Sequence, residues 1–358
     1  MSEEHVIITC RHCQTQNRLL KDKAIKNVKT TICGQCRKNI FTGDEEPYYE
    51  ISSGAYEHPL DRSALNALKK VPGTGTVLKM IIKETVERYH RILFMQNYIK
   101  VTPMHMPFIH NMATHATKML DIEEVPQIFV YQDPYPNAFT AGVDNPYIGI
   151  STSLIDLLSE EELLGVIAHE LGHIQCGHVL YKTAARIIYQ VMAVVGSLIG
   201  VGRFAFAAIA QALYYWDRCS ELSADRAEIL VTKSFTTSIY TTMKLASGSQ
   251  KLMKMLDMDE FLKQGEEAKK MKEENFFNNL IVTMQTQSTT HPFPVWRAGH
   301  LKEWVYDGNY LDILQGKYLK RSEEGDPDKD FREGDFKKSE DEPTLIDSFK
   351  KLLGLDYL

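Results

Sequence analysis

The chain has 358 residues, 44% apolar and 25% charged, a globular balance with enough length for one large domain and a small module. A formal net charge of -6 gives no general attraction for nucleic acid or anionic lipid. No charged-then-apolar leader precedes the first cysteines, so the expected location is cytoplasmic.

Residues 1–43 carry Cys10-x-x-Cys13 and, after nineteen intervening residues, Cys33-x-x-Cys36, a spacing that predicts a closed four-cysteine structural zinc site. So short a segment cannot bury a self-sufficient core, so zinc–thiolate bonds must supply most of its folding free energy. With Asn17-Arg18-Leu19 and Ile40-Phe41-x-Gly43, the run resembles the zinc ribbon at the front of certain bacterial thioredoxins. Arg11, Arg18, Lys21, Lys23, Lys26, Lys29, Arg37 and Lys38 make it basic, but few aromatics interleave with them, which argues against nucleic acid. Docking of a substrate or partner is the favoured role, with a purely structural cap as the alternative. Cys176 and Cys219 remain as reduced, packed thiols.

Residues 44–72 read as a linker, and 74–98 as a helix packing behind the active-site helix. His90, His105, His110 and His115 lack paired carboxylate spacing and are read as structural or surface groups. Short strands are expected at 125–131, 137–140 and 147–151, giving a small sheet ahead of the next helix.

That helix carries the main signal. Ser159-Glu160-Glu161-Glu162 is a capping box with an acidic first turn, followed by the apolar stripe Leu163, Leu164, Val166, Ile167, Leu171 and Ile174. On it lies His169-Glu170-Leu171-Gly172-His173, an H-E-x-x-H sequence whose two imidazoles share one face and can close on a Zn²⁺. Zinc acidifies a bound water, and Glu170 is the expected general base, so hydrolysis needs no Ser or Cys nucleophile. Segment 219–231 also reads as helix and places Glu221 and Asp225 four residues apart. Glu221 is the expected third ligand, and Asp225 the carboxylate that orients His169 through its remaining N–H. A solvated, ion-paired helix face is the alternative for this second motif. His178, five residues past His173, is rejected as a ligand because a continuing helix turns it about 140° away.

Between the two motifs, 187–216 is strongly apolar but its longest uncharged run falls short of the roughly twenty residues of a membrane span. Core helices flanking the metal are favoured, and peripheral contact with the inner face of a membrane is the alternative. His291-Pro292-Phe293-Pro294 leads into a helical stretch over 296–306. Residues 317–343 read as a charged disordered linker, and 344–358 as an amphipathic helix that occupies a groove and regulates access, or has no role.

Asn137-Ala138-Phe139, the H-E-x-x-H helix, Glu221-x-x-x-Asp225 and His291-Pro292-x-x-x-x-Arg297 occur in the order found in one family. Over roughly residues 75 to 305 the chain resembles the HtpX and CAAX prenyl protease family of zinc metallopeptidases. The resemblance implies an α+β, mostly helical, zincin-like metallopeptidase domain with a small sheet, here assigned to 73–316 and preceded by the ribbon. It further implies that the strand with Asn137, Ala138 and Phe139 aligns substrate antiparallel to itself, and that His291 and Arg297 face the active site. His291 then bonds an oxyanion or a carboxylate of the metal shell; a rigid turn is the alternative reading of 291–294. The expected function is a zinc-dependent endopeptidase in protein quality control, acting on extended or misfolded protein segments. It needs one catalytic and one structural Zn²⁺. The alternative is a catalytically idle binding or chaperone module on the same fold.

Overall fold

The computed structural model describes residues 4–41, 46–69, 88–142, 144–183, 202–274, 291 and 293–324. An antiparallel hairpin of β1 (His5–Thr9) and β2 (Gln16–Leu20) leads into the short helix α1 (Lys21–Lys26). The hairpin module is not free-standing. Its buried Ile8, Ile25, Val28, Ile40 and Phe41 join the same apolar core as the main body. Lys29 pairs with Glu161 at 2.6 Å, and the Tyr306 hydroxyl donates to Asp22 at 2.6 Å.

The described part of 44–72 corrects the expectation of a linker. Tyr48, Ile51, Tyr56 and Asp61 are buried, because this segment finds partners along the main body. Asp61 lies in helix α2 (Pro59–Lys69), which follows the other three. The Tyr48 hydroxyl donates to the Leu230 carbonyl at 3.0 Å, Tyr56 to Gln175 at 2.6 Å, and the Ser223 hydroxyl accepts the His58 backbone N–H at 2.9 Å. Of the helix expected over 74–98, residues 74–87 lie outside the described residues, and α3 (Arg88–Asn97) is its described end.

The expected strands form, as β4 (Gln127–Tyr131), β5 (Ala138–Ala141) and β6 (Tyr147–Ser151), joined by the short β3 (Ile99–Lys100) and by helix α4 (Pro107–Met119). Their order is β3-β4-β6-β5, with only the β4–β6 pair parallel. β6 is buried throughout, as a strand covered on both faces must be. β5 is an edge of this sheet. Its Phe139 ring lies over Gly149 so closely that a Cβ there would stand 2.5 Å from it.

Helix α5 (Thr152–Leu157) precedes α6 (Glu160–Gln175), which begins at the expected capping box. Ser159 accepts from the Glu162 backbone N–H, and Glu162 accepts from the Ser159 N–H at 2.7 Å, a cap worth about 1 kcal/mol. Lys244, from α8 (Phe235–Ser247), adds an ion pair to Glu162 at 2.5 Å. α6 packs along α7 (Gly202–Thr232), and Gly172 sets how closely. A Cβ on Gly172 would meet the Ala227 Cβ at 2.7 Å and the Ala224 Cα at 3.2 Å. The close crossing brings the 169–173 face of one helix against the 221–225 face of the other.

Of 187–216, residues 187–201 lie outside the described residues, and the remainder opens α7. Among the described residues no helix is long and apolar enough to cross a membrane. Helix α9 (Met258–Glu274) lies against α10 (Pro294–Asp307), which is followed by α11 (Tyr310–Leu314). The expected tether also starts later than 317. Lys320 bridges to Ile51, and Arg321 pairs with Asp121 at 2.5 Å, so 317–324 adds an ordered strap across the 48–55 segment. The rest of the tether and the tail helix at 344–358 lie outside the described residues.

Candidate active site and cysteine centre

Each cysteine pair sits in a tight turn. The Gln14 N–H donates to the Cys10 carbonyl at 2.8 Å and the Arg37 N–H to the Cys33 carbonyl at 3.1 Å, with Gln14 and Arg37 at φ 60° and 63°. The turns bring the four thiols together, Cys10 3.6 Å from Cys36 and Cys13 3.6 Å from Cys33. Tetrahedral zinc with bonds near 2.3 Å requires sulfurs about 3.8 Å apart, so the set fits zinc with little adjustment. The Cys36 backbone N–H, against burial and with help from the Gln35 N–H, pulls the Cys33 thiol down to about 6, toward the thiolate a metal needs.

The second cluster is built by α6, α7 and the residue that precedes α10. His169, His173, Glu221 and His291 converge, each with one ligand atom within 4.8 Å of the others. Glu221 Oε2 stands 3.3 Å from His169 Nε2, and Oε1 3.2 Å from His173 Nε2. The two imidazoles cross at 90° with ring centres 4.9 Å apart. His169 Nε2, His173 Nε2 and Glu170 Oε1 are buried without a hydrogen-bond partner among the described residues. A protein rarely leaves such atoms unsatisfied, and two imidazoles with the Glu221 carboxylate are a donor set that suits zinc.

Around this centre the expected outer residues fall as follows. Asp225 Oδ1 faces His169 Nδ1 at 3.1 Å, and Asp225 is clamped by Arg297, whose Nε donates to Oδ2 at 2.8 Å. Arg297 also reaches Glu221 at 3.2 Å, so it buttresses two carboxylates and does not face open space. It is buried. Arg297, expected in a catalytic role, thus stands against Asp225 and Glu221. His291 touches the Glu221 carboxylate at 2.6 Å through Nδ1 and the Ala138 carbonyl at 2.9 Å through Nε2. Ala138 and Phe139 lie in β5, while Asn137 precedes it, its N–H donating to the Ser151 hydroxyl at 2.9 Å.

Several groups were not foreseen. Thr140 donates from Oγ1 to Glu170 Oε2 at 2.6 Å; the alternation of a strand puts it on the face of Ala138, so this neighbour was readable. Lys182, buried, donates to Glu221 Oε1 and to Asp217, each at 2.7 Å. His178 is not among the converging ligands, but the reason given from the sequence fails. α6 ends at Gln175, Gly177 takes φ 70°, and the chain turns back so that His178 Nδ1 meets His173 Nδ1 at 2.9 Å. Gly177 was the legible stop signal.

The electrostatics favour a cation. Burial opposes charge on His169, yet Asp225 and Glu221 outweigh it and push its pKa up to about 10. Burial and then Lys182 push His173 well below its ordinary value, which keeps its ring neutral, the form that binds a metal. Burial also resists ionisation of Glu221, but His291, Lys182 and Arg297 hold its carboxyl well below the usual range. Behind them burial raises Glu228 to about 7.

A helix bearing two imidazoles and a carboxylate, closed by a second helix with a third ligand type, defines a centre of the metallopeptidase class. The chain belongs to peptidase family M48, which matches residues 104–305. It is 30% identical over 274 residues to the plastoglobule-localized metallopeptidase 48, chloroplastic, of Arabidopsis thaliana, covering 75% of this chain and 77% of that one. It is also 38% identical over 73 residues to a protease HtpX homolog of Dictyoglomus turgidum, covering 20% of this chain and 24% of that one. The protease HtpX homolog 1 of Sulfurisphaera tokodaii is 37% identical over 94 residues, 26% of this chain and 30% of its own. No solved structure is significantly similar to the chain.

Proposed function

We propose that the chain is a zinc-dependent endopeptidase in which His169, His173 and Glu221 hold the catalytic metal and Glu170 is the general base. The reading rests on one observation: the buried Nε2 atoms of His169 and His173, without a hydrogen-bond partner among the described residues, converge with Glu221 and His291, and Oε1 of Glu170, in the same condition, lies 3.6 Å from His291 Nε2. When bound there, zinc supplies Lewis acidity, acidifying water and polarising the scissile carbonyl. Glu170 is held for proton transfer, because Thr140 occupies Oε2 and leaves Oε1 open. Oε1 takes the proton of the attacking water and delivers it to the departing amine nitrogen, so one carboxylate serves as base and then acid. Asp225, fixed by Arg297, orients His169, and Lys182 holds the Glu221 carboxylate in its place.

Substrate is proposed to lie extended along β5, an edge strand whose backbone is read more than side chains are. Broad selectivity for extended or misfolded segments follows. Ala138 on that strand has its carbonyl on His291. A second zinc in Cys10, Cys13, Cys33 and Cys36 is structural, since all four positions of a tetrahedron are filled by protein. Glu170→Gln tests the reading: zinc is retained, and hydrolysis of an unfolded protein falls by about 10²–10⁴-fold. Equal cleavage by both forms would leave the chain without its proposed base and return the idle binding module to favour.

A further inference from the structure

His173 is backed by a buried chain of groups that does not touch the proposed metal position. Its Nδ1 lies 2.9 Å from Nδ1 of His178, which is itself fully buried. Two ring nitrogens at hydrogen-bond distance share one proton, so one ring must donate and the other accept. On its far side, His178 Nε2 lies 2.8 Å from Asp61 Oδ2, off the line of a hydrogen bond but in direct electrostatic contact. Asp61, also fully buried, is held as an acceptor, Oδ1 taking the Trp216 indole N–H at 3.0 Å and Oδ2 the Ser223 hydroxyl at 2.5 Å. The Trp216 ring stands edge-on to His178, 5.6 Å between centres, and closes the space around it.

These contacts argue for one order of protons. With one proton on each ring, a carboxylate beside Nε2 draws the His178 proton to that nitrogen, which leaves Nδ1 as a lone pair. The shared proton between the two rings then belongs to His173 Nδ1, and His173 Nε2 is left as the lone pair that faces the centre. We infer that Asp61 and His178 are positioning residues that set the tautomer of His173 and so preorganise its Nε2 for zinc. The inference rests on the metal centre proposed above and adds to it a part of the chain that lies outside residues 104–305. Asp61 belongs to α2, within the segment whose sequence reads as a linker, so the N-terminal region completes the centre by a proton relay and not only by packing.

The experiment uses the full chain with zinc kept in the cysteine centre, histidine-labelled with ¹⁵N, with the second centre free of metal. Long-range ¹H–¹⁵N spectra of the wild type are expected to show His173 protonated at Nδ1 and His178 at Nε2. In Asp61→Asn the amide can turn its NH₂ toward Nε2, the proton order reverses, and a large share of His173 carries its proton on Nε2. Zinc affinity at this centre, read by competition with a chelator, falls about 10–100-fold while the cysteine centre is unchanged. Ser223→Ala, which removes a bond to Asp61 but leaves its charge, keeps the wild-type tautomers. A wild-type spectrum with the His173 proton on Nε2 overturns the inference, and this spectrum decides the matter even when Asp61→Asn does not fold. Unchanged zinc affinity in Asp61→Asn, with zinc bound in both forms, removes the relay alone. Zinc confined to the cysteines in the wild type removes the metal reading, and the relay with it.

Discussion

The Thr140 hydroxyl donates to Glu170 Oε2 at 2.6 Å and so ties the edge strand β5 to the carboxylate proposed as general base. Both groups are buried, so the bond fixes which oxygen of Glu170 is free. Thr140→Val keeps the shape and removes the donor. A hydrogen bond to a charged group is worth about 1.5–3 kcal/mol, so kcat is expected to fall roughly 10–100-fold with zinc content unchanged. Steady-state kinetics on an unfolded protein substrate check this, and an unaltered kcat contradicts the role given to Thr140.

The crossing of α6 and α7 offers a second test. Gly172→Ala places a methyl 2.7 Å from the Ala227 Cβ and 3.2 Å from the Ala224 backbone, with no flexible side chain to yield. Separating the helices costs about 1–3 kcal/mol and pulls Glu221 away from His169 and His173. Lower stability in urea together with weaker zinc binding at the second centre is the expected result. Loss of stability alone would mean that the crossing is structural.

Tyr48 tests whether the 46–69 segment is part of the body. Its hydroxyl donates to the buried end of α7 at Leu230, so Tyr48→Phe leaves that carbonyl without this partner. A destabilisation of about 1–2 kcal/mol, seen as a lower urea midpoint at constant slope, is expected. A free linker would show no change.

Metal removal separates the two centres. The four-thiolate site is closed, whereas the second has three proposed protein ligands. Mild chelation is expected to abolish hydrolysis while the far-ultraviolet circular dichroism stays constant. Strong chelation then releases the cysteine-bound zinc and unfolds the module of residues 4–41. Simultaneous loss of both metals with activity and structure would contradict a division into catalytic and structural sites.

Much of this was legible in the chain because the signals are local. The capping box, the i, i+4 imidazoles, the paired cysteines and the short strands β4, β5 and β6 set off by turn residues each depend on a few neighbouring residues, and all of them form. What escaped is what tertiary packing decides. Asp61 reaches His178 across more than a hundred residues, and Lys182 reaches Glu221 from beyond a chain reversal, with no periodic pattern to mark either. His178 was misread for a smaller reason, a helix carried past the glycine that ends it. The 46–69 segment looked like a linker because its buried groups are irregularly spaced, though Tyr48, Tyr56, His58 and Asp61 find specific partners.

The most direct test of the account is an anomalous difference map at the zinc edge from crystals of the full chain. The account predicts two peaks, one among Cys10, Cys13, Cys33 and Cys36, the other about 2.0–2.2 Å from His169 Nε2, His173 Nε2 and a Glu221 oxygen. A single peak at the cysteines, with none beside His169 and His173, would contradict it.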